Sequence, residues 1–289
     1  MGSLPVSAPA VSSGRRLRFN PGGAGVWLFL AALGVVALFP FALMLGTSLK
    51  PIEEIFESGR LLPRHLTFGT YAEVFGHSLL IRYLLNGVVV TVLVLAGQLL
   101  VNIPAAYAFG KLSFPGREAL FSLVLAALVF PRYIAAVPNF LFLSRLRLID
   151  TYAALILPFI GSPLGVFLMR QFFRQVPWEY FDAARLDGCS LSQMLRHVLM
   201  PLIRPAIGAF AIFSVVAHWN DFFWPLVVIN TQKMLTPPAG IVYFADVEAG
   251  TRWNIVMAAS VVIIAPLLIA FIAARRQFIS SLTTTTLKG

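Results

Sequence analysis

Residues 176–205, VPWEYFDAARLDGCSLSQMLRHVLMPLIRP, form a polar elbow set between apolar segments long enough to cross a bilayer. Pro177 suits the opening of a helix, and Glu179 and Asp182 in its first turn are favoured by the positive end of the helix dipole. Gly188, after Asp187, suits the left-handed residue that ends such a helix. Ser190 and Gln193 have capping-box spacing for a second helix, which the sequence predicts to be interrupted at Pro201. Ala183 and Ala184 give a low-relief face against which another protein could pack closely. An amphipathic helix lying in the membrane interface is the plainer alternative, but it has no need of a glycine and a proline at these positions.

Composition places the elbow in a membrane protein. Hydrophobic residues make up 58% of the 289 positions and charged residues 12%, with a mean hydropathy of +0.84. That is more apolar side chain than a soluble core of this length uses. The formal charge of +10 is scattered between apolar segments, where Lys and Arg act as topology signals and snorkelling anchors. No basic stripe interleaved with aromatics marks a nucleic-acid partner. Cys189 is the single cysteine, which excludes an intrachain disulfide.

Hydropathy predicts an all-α polytopic membrane protein with six transmembrane helices, near 26–48, 83–110, 119–143, 151–169, 206–229 and 253–274. Such runs are too long and too uniformly apolar for barrel strands. The organisation expected is a cytoplasmic tail (1–25), a first helix with an extracytoplasmic loop (26–82), a five-helix unit (83–275) containing the elbow (174–205), and a short polar tail (276–289) too short to fold. The first span has no cleavage signal after it and reads as uncleaved. With Arg15, Arg16 and Arg18 inside, 13 of the 22 Lys and Arg residues fall on the cytoplasmic side, which places both termini and the elbow there.

Polar residues inside spans face a bundle interior or water. Gln98 and Asn102, one turn apart, share a helical face. Arg132 and Asn139 flank a proline-broken outer half of the third span, and Asn220 and Asp221 sit among Trp219, Phe222, Phe223 and Trp224, whose rings could stack on a sugar. For each pair the plainer reading is helix-to-helix hydrogen bonding, or snorkelling for Arg132. His65, His77, His197 and His218 lack metal-ligand spacing; only His218 lies beside a polar cluster. No G-x-x-x-x-G-K-[ST] motif occurs, so ATP-driven transport would need ATPase subunits on another polypeptide.

The elbow carries a family resemblance. Glu179, Asp182-Ala183-Ala184, Asp187-Gly188, Ser190, Leu199, Pro201-Leu202 and Pro205 resemble the cytoplasmic "EAA" loop of the inner-membrane permeases of ABC importers. Asp182 replaces the usual Glu and Cys189 the usual Ala. Residues 167–173 (FLMRQFF) leading to Pro177, 219–225 (WNDFFWP), Pro131, Pro138, 150–152 (DTY), Pro158 and the terminal Lys288-Gly289 look like the carbohydrate-uptake branch, specifically the smaller permease of maltose-type importers. The resemblance implies the type-1 permease fold, a second homologous permease as heterodimer partner, an ATPase dimer that binds ATP and Mg, and an extracytoplasmic solute-binding protein. It implies that Glu179, Asp182, Ala183, Ala184, Asp187 and Gly188, with Lys288 and Gly289 of the tail, couple to the ATPase. No cofactor or catalytic residue is implied for this chain, and its solute would be a sugar or a polar relative such as a glycerol phosphate. An ion-gradient-driven transporter would bury acidic or basic residues in several spans, and an intramembrane hydrolase would need a nucleophile with an aligned base; neither pattern is present.

Overall fold

The uncharged apolar run of residues 83–110 becomes the helix that makes the core of the second unit. The computed structural model describes residues 21–57, 63–76, 79–244 and 252–286, with side chains omitted at 21–24, 56–57, 132 and beyond 273. Among the described residues the chain is helical and has no strand. Helix α1 (Pro21–Ser48) starts on a proline, as helix geometry favours, and as far as Leu43 it makes up the described part of the N-terminal unit. Arg15, Arg16 and Arg18 lie outside the described residues.

The second unit begins with two short helices, α2 (Ile52–Glu57) and α3 (Gly69–Gly76), followed by the central α4 (Leu80–Lys111). Next come α5 (Arg117–Val129), α6 (Ala136–Arg145), α7 (Tyr152–Ile156), α8 (Pro163–Gln175) and α9 (Glu179–Leu186). The continuous α10 (Leu191–Trp219), the short α11 (Phe223–Val228) and α12 (Pro237–Gly240), and the long α13 (Trp253–Thr286) complete it.

Four helices, α1, α4, α10 and α13, are long and apolar enough to cross a membrane unbroken, and two bent pairs raise the number to six. The six expected spans are therefore present, with three differences in detail. The third turns by 92° between α5 and α6, where Pro131 and a 3-10 turn (Arg132–Ala135) replace helix, and the fourth bends by 44° between α7 and α8. The fifth begins at Leu191 and ends at Trp219 rather than spanning 206–229.

Pro201 does not interrupt that fifth helix. Residues Met194–Leu199 widen into a π turn, with the Met200 amide donating to the Leu195 carbonyl, five residues back. The widened ladder shifts the carbonyls that a proline ring would otherwise strike, so the helix runs on. The expected unfolded tail is also helical as far as Thr286. No glycine or proline lies between Pro266 and Thr286, so nothing in the backbone stops propagation after Arg275 and Arg276. Lys288 and Gly289 lie outside the described residues.

Two apolar clusters form the core of the second unit. One gathers Leu80, Tyr83 and Val94 of α4 with Leu155, Trp224, Val228 and Ala258; the other gathers Ile103 and Tyr107 with Met169, Phe173, Phe181, Leu199, Ile203 and Phe210. Where α4 meets α8 the backbones approach closely. A Cβ at Gly165 would lie 2.3 Å from Asn102 Nδ2 and 2.9 Å from the Phe210 ring. Gly165→Ala should therefore lower the thermal unfolding midpoint of the detergent-solubilised protein, at a cost of about 1–3 kcal/mol. Gly208→Ala, whose Cβ would meet nothing within 4 Å, should leave the midpoint unchanged or slightly raised.

Candidate functional site

The elbow is built as two helix ends stapled back to back. α9 ends in a Schellman motif: the Cys189 amide donates to the Ala184 carbonyl and the Gly188 amide to that of Arg185, both at 3.0 Å. Gly188 has φ +72°, as expected, and a Cβ there would meet open space. Ser190 and Gln193 form the expected capping box at the start of α10.

One face of the elbow is committed to this chain's own bundle. Phe181 and Ala184, three residues apart and so on one side of α9, are buried against the second apolar cluster. Phe181 stacks on Tyr107 with ring centroids 6.2 Å apart. Ala184 is thus an internal packing residue, while Ala183 is exposed; the helical period separates the two neighbours that the sequence reading had placed on one docking face. Lys111, closing α4, donates to the Val176 carbonyl at 2.6 Å and lies over the rings of Trp178 and Phe181. Nearby, the buried Arg170 donates to both carboxylate oxygens of Glu118 and to the Phe109 carbonyl, each at 3.1 Å, with its guanidinium 3.7 Å above the Phe121 ring. In the sequence Lys111 reads as a topology signal and Arg170 as that and as part of the 167–173 stretch; neither position carries a local sign of the carbonyls and rings that receive it.

The outer face presents Glu179, Asp182, Ala183, Asp187 and Leu186 to solvent, and Leu186 is 89% exposed. Among the described residues nothing covers this leucine at the tip of a charged elbow.

Between the two apolar clusters lies a polar layer. Gln98 donates to the Phe159 carbonyl at 2.9 Å, accepts from the Ser214 hydroxyl at 2.6 Å and meets His218 Nε2 at 3.2 Å. One turn along α4, the fully buried Asn102 accepts from the Ser162 amide at 3.2 Å. Gln98, Ser162, Ser214 and His218 border a cavity of about 350 Å³ that is otherwise apolar. His218 was noticed in the sequence; Ser214, one turn before it, was not.

The remaining candidates divide in two. Trp219 is 5% exposed and its indole donates to the Ile263 carbonyl at 3.1 Å, tying α10 to α13; Trp224 is buried likewise and donates to the Ala154 carbonyl. Asn220 caps the end of its own helix by donating to the Val216 carbonyl, and Asp221 accepts from the Trp224 amide to begin α11. Asp221 and Asn139 border one small cavity with Tyr133, Phe159 and Phe223, so the structure brings together residues from the third span and the helix break. The Arg132 side chain lies outside the described residues.

Two anchors escaped the sequence reading. Asn86 donates to the Lys233 and Leu235 carbonyls and accepts from the Tyr152 hydroxyl. Asp150, at φ +62°, accepts from the Thr231 hydroxyl and the amides of Thr231 and Asn230, and the Thr231 hydroxyl does most to hold its carboxyl below the usual carboxylate range.

The fold and the elbow together define a transport permease. Residues 65–283 match the family of binding-protein-dependent transport system inner membrane components, and the chain belongs to that family. It is 34% identical over 270 residues to the arabinooligosaccharides transport system permease protein AraQ of Halalkalibacterium halodurans, covering 91% of this chain and 96% of the relative. It is 33% identical over 239 residues to the sn-glycerol-3-phosphate transport system permease protein UgpE of Brucella abortus, covering 82% and 83% respectively. A crystal structure of a bacterial ABC transporter that imports the acidic polysaccharide alginate superposes with a TM-score of 0.80 at 22% identity, over 92% of this chain and 100% of that one. The chain is therefore an inner-membrane permease with the type-1 ABC importer fold, a component of binding-protein-dependent transport.

The geometry of the layer yields a test of what Gln98 does. Gln98→Leu would take from the Ser214 hydroxyl the acceptor it uses and remove one contact each from His218 and the Phe159 carbonyl, at a cost of about 1–3 kcal/mol. A lowered thermal midpoint is the expected result. An unchanged midpoint with a raised KM for transport would instead make Gln98 a solute contact.

Proposed function

We propose that this permease carries a sugar or sugar-like polar solute, a glycerol phosphate included, and that its elbow is the contact with separate ATPase subunits. The observation that carries the coupling assignment is the two-sided elbow: Phe181 and Ala184 lock it to the bundle while Glu179, Asp182, Ala183, Leu186, Asp187 and Gly188 remain outside. Motion of a protein docked on that outer face would be passed to α4, α8 and α10 as a displacement of packed side chains. The solute class is favoured by the names of the relatives, which include transporters of arabinooligosaccharides, trehalose and sn-glycerol-3-phosphate. Membership of a binding-protein-dependent family counts against the ion-gradient alternative.

On this reading the pore is completed by a second, homologous permease, and an extracytoplasmic binding protein delivers the solute. ATP and Mg are bound and hydrolysed by the ATPase dimer, and this chain performs no covalent chemistry. Asn139, Asp221 and Arg132 are the proposed solute contacts, with Asn220 at the rim; Gln98, Asn102 and Trp219 hold the bundle together around them. Lys288 and Gly289 supply a second ATPase contact.

Reconstitution with binding protein, partner permease and ATPase should give solute accumulation that requires ATP and persists without an ion gradient; transport sustained by a gradient alone would refute the proposal. Leu186→Glu should change thermal stability by no more than about 0.5 kcal/mol, since the side chain is exposed, yet cut solute-stimulated ATP hydrolysis severely. Gly188→Val, which must hold a β-branched residue in the left-handed region at about 1–2 kcal/mol, should be worse than Gly188→Asn. Deleting residues 283–289 should lower coupled hydrolysis while insertion continues. Full activity in all of these variants would remove the elbow and tail from the ATPase contact.

Both termini and the elbow are proposed to face the cytoplasm. A membrane-impermeant thiol reagent applied to intact cells should spare Cys189 and should label Thr67→Cys in a Cys189→Ser background. The reverse pattern would invert the topology.

A further inference from the structure

On the cytoplasmic side of the polar layer, α4 and α10 part to leave a groove of about 690 Å³. Its walls are apolar, with Leu99, Leu100 and Ile103 on α4 and Met200 and Ile207 on α10. Arg196 and Arg204 line the same groove, and both are exposed. Among the described residues no ion pair engages either of them.

Length fixes the depth of these arginines. The 29 residues of α10 make about 43 Å of helix, more than the roughly 30 Å of a hydrocarbon core. On the topology proposed above, which this inference depends on for the choice of leaflet, the excess emerges into the cytoplasm. Arg196 then stands at the headgroup layer. Arg204, about 12 Å further along the axis, lies just inside the hydrocarbon with its stem long enough to snorkel back. A charged side chain at that depth is stabilised by an opposite charge, and among the described residues no carboxylate offers one to Arg204. The lipid does, because a phospholipid sets a phosphate at this boundary with an acyl chain directly above it. Basic pockets between helices at the cytoplasmic surface bind acidic headgroups in this way.

We propose that the groove is a site for one anionic phospholipid of the cytoplasmic leaflet, its headgroup at Arg196 and Arg204 and an acyl chain lying along Leu99, Leu100, Ile103 and Ile207. The lipid would fill the gap between α4 and α10 directly above the elbow. A zwitterionic lipid has the same chain but no net charge to offer, so the site discriminates by headgroup.

The full-length chain, purified in the assembly in which it is extracted from the membrane, should be re-lipidated with an equimolar mixture of phosphatidylglycerol and phosphatidylcholine of matched acyl chains. Native mass spectrometry then counts what is retained. The wild type should favour phosphatidylglycerol on the order of tenfold, and the Arg196→Gln, Arg204→Gln double variant should retain one phosphatidylglycerol fewer and lose that preference. Arg185→Gln, on the exposed elbow, should retain it. Leu100→Glu, which sets a negative charge in the trough but leaves both arginines, should also lower phosphatidylglycerol retention while keeping the wild-type thermal midpoint. Equal retention of the two lipids by the wild type, or unchanged phosphatidylglycerol retention in the double variant or in Leu100→Glu, would each overturn the site. The readout needs neither ATP hydrolysis nor transport, so its failure leaves the importer assignment standing. An inverted topology would appear in Cys189 labelling and would move the bound lipid to the other leaflet.

Discussion

The hydrogen-bonded layer at Gln98 and Asn102 is the constraint on which the bundle's register depends. Lipid is as apolar as leucine, so helices in a membrane gain little from burying apolar side chains against each other. The two apolar clusters above and below the layer could slide past one another at small cost. The layer cannot slide: Gln98 meets the Phe159 carbonyl, Ser214 and His218 at once, and Asn102 meets the Ser162 amide from the next turn. A shift of one residue would leave several of these groups unpaired in a medium without water. Gly165 adds a steric stop, because only a glycine lets α8 approach Asn102 so closely.

The same fixed register is what makes the elbow useful. Lys111 at the end of α4 holds the Val176 carbonyl, and Arg170 holds Glu118 and the Phe109 carbonyl, so the loops at this end are tied to the helices by charge-assisted bonds. Phe181 and Ala184 then join α9 to the lower apolar cluster. Displacing the outer face of the elbow must move this cluster with it, since close-packed side chains transmit displacement rather than absorb it.

How much of this is legible in the sequence depends on whether a signal is local. Gly188, Ser190 and Gln193 are local: a left-handed cap and a capping box involve residues within five positions, and both appear as read. The apolar spans are local too, since their length alone meets the membrane. Ala184 and Pro201 show where local reading fails. Which of two adjacent alanines faces inward is decided by the phase of α9 against Tyr107 and Leu199, distant in sequence. Pro201 looked like a break because the i−4 carbonyl was assumed; a π turn removes that premise, and nothing in MLRHVL announces one. Asn86, Arg170 and Ser214 were invisible as anchors for a related reason, as their partners lie 52 to 149 residues away.

The breaks in the spans are as informative as the spans. The third turns at Pro131, the fourth at Gly161 and Ser162, and α10 stops at Asn220 and Asp221. Phe130, Gly161 and Ser162 border the cavity that also touches Gln98 and His218, and Asp221 borders the smaller one with Asn139. Irregular backbone at membrane depth survives only where protein or a water-filled cavity receives the freed amides and carbonyls. Three segments separate in sequence break around the same pair of cavities. Shaping two cavities, each edged by a few polar side chains, is the common reason that accounts for all three breaks, and the proposed solute contacts Asn139 and Asp221 lie at one of them.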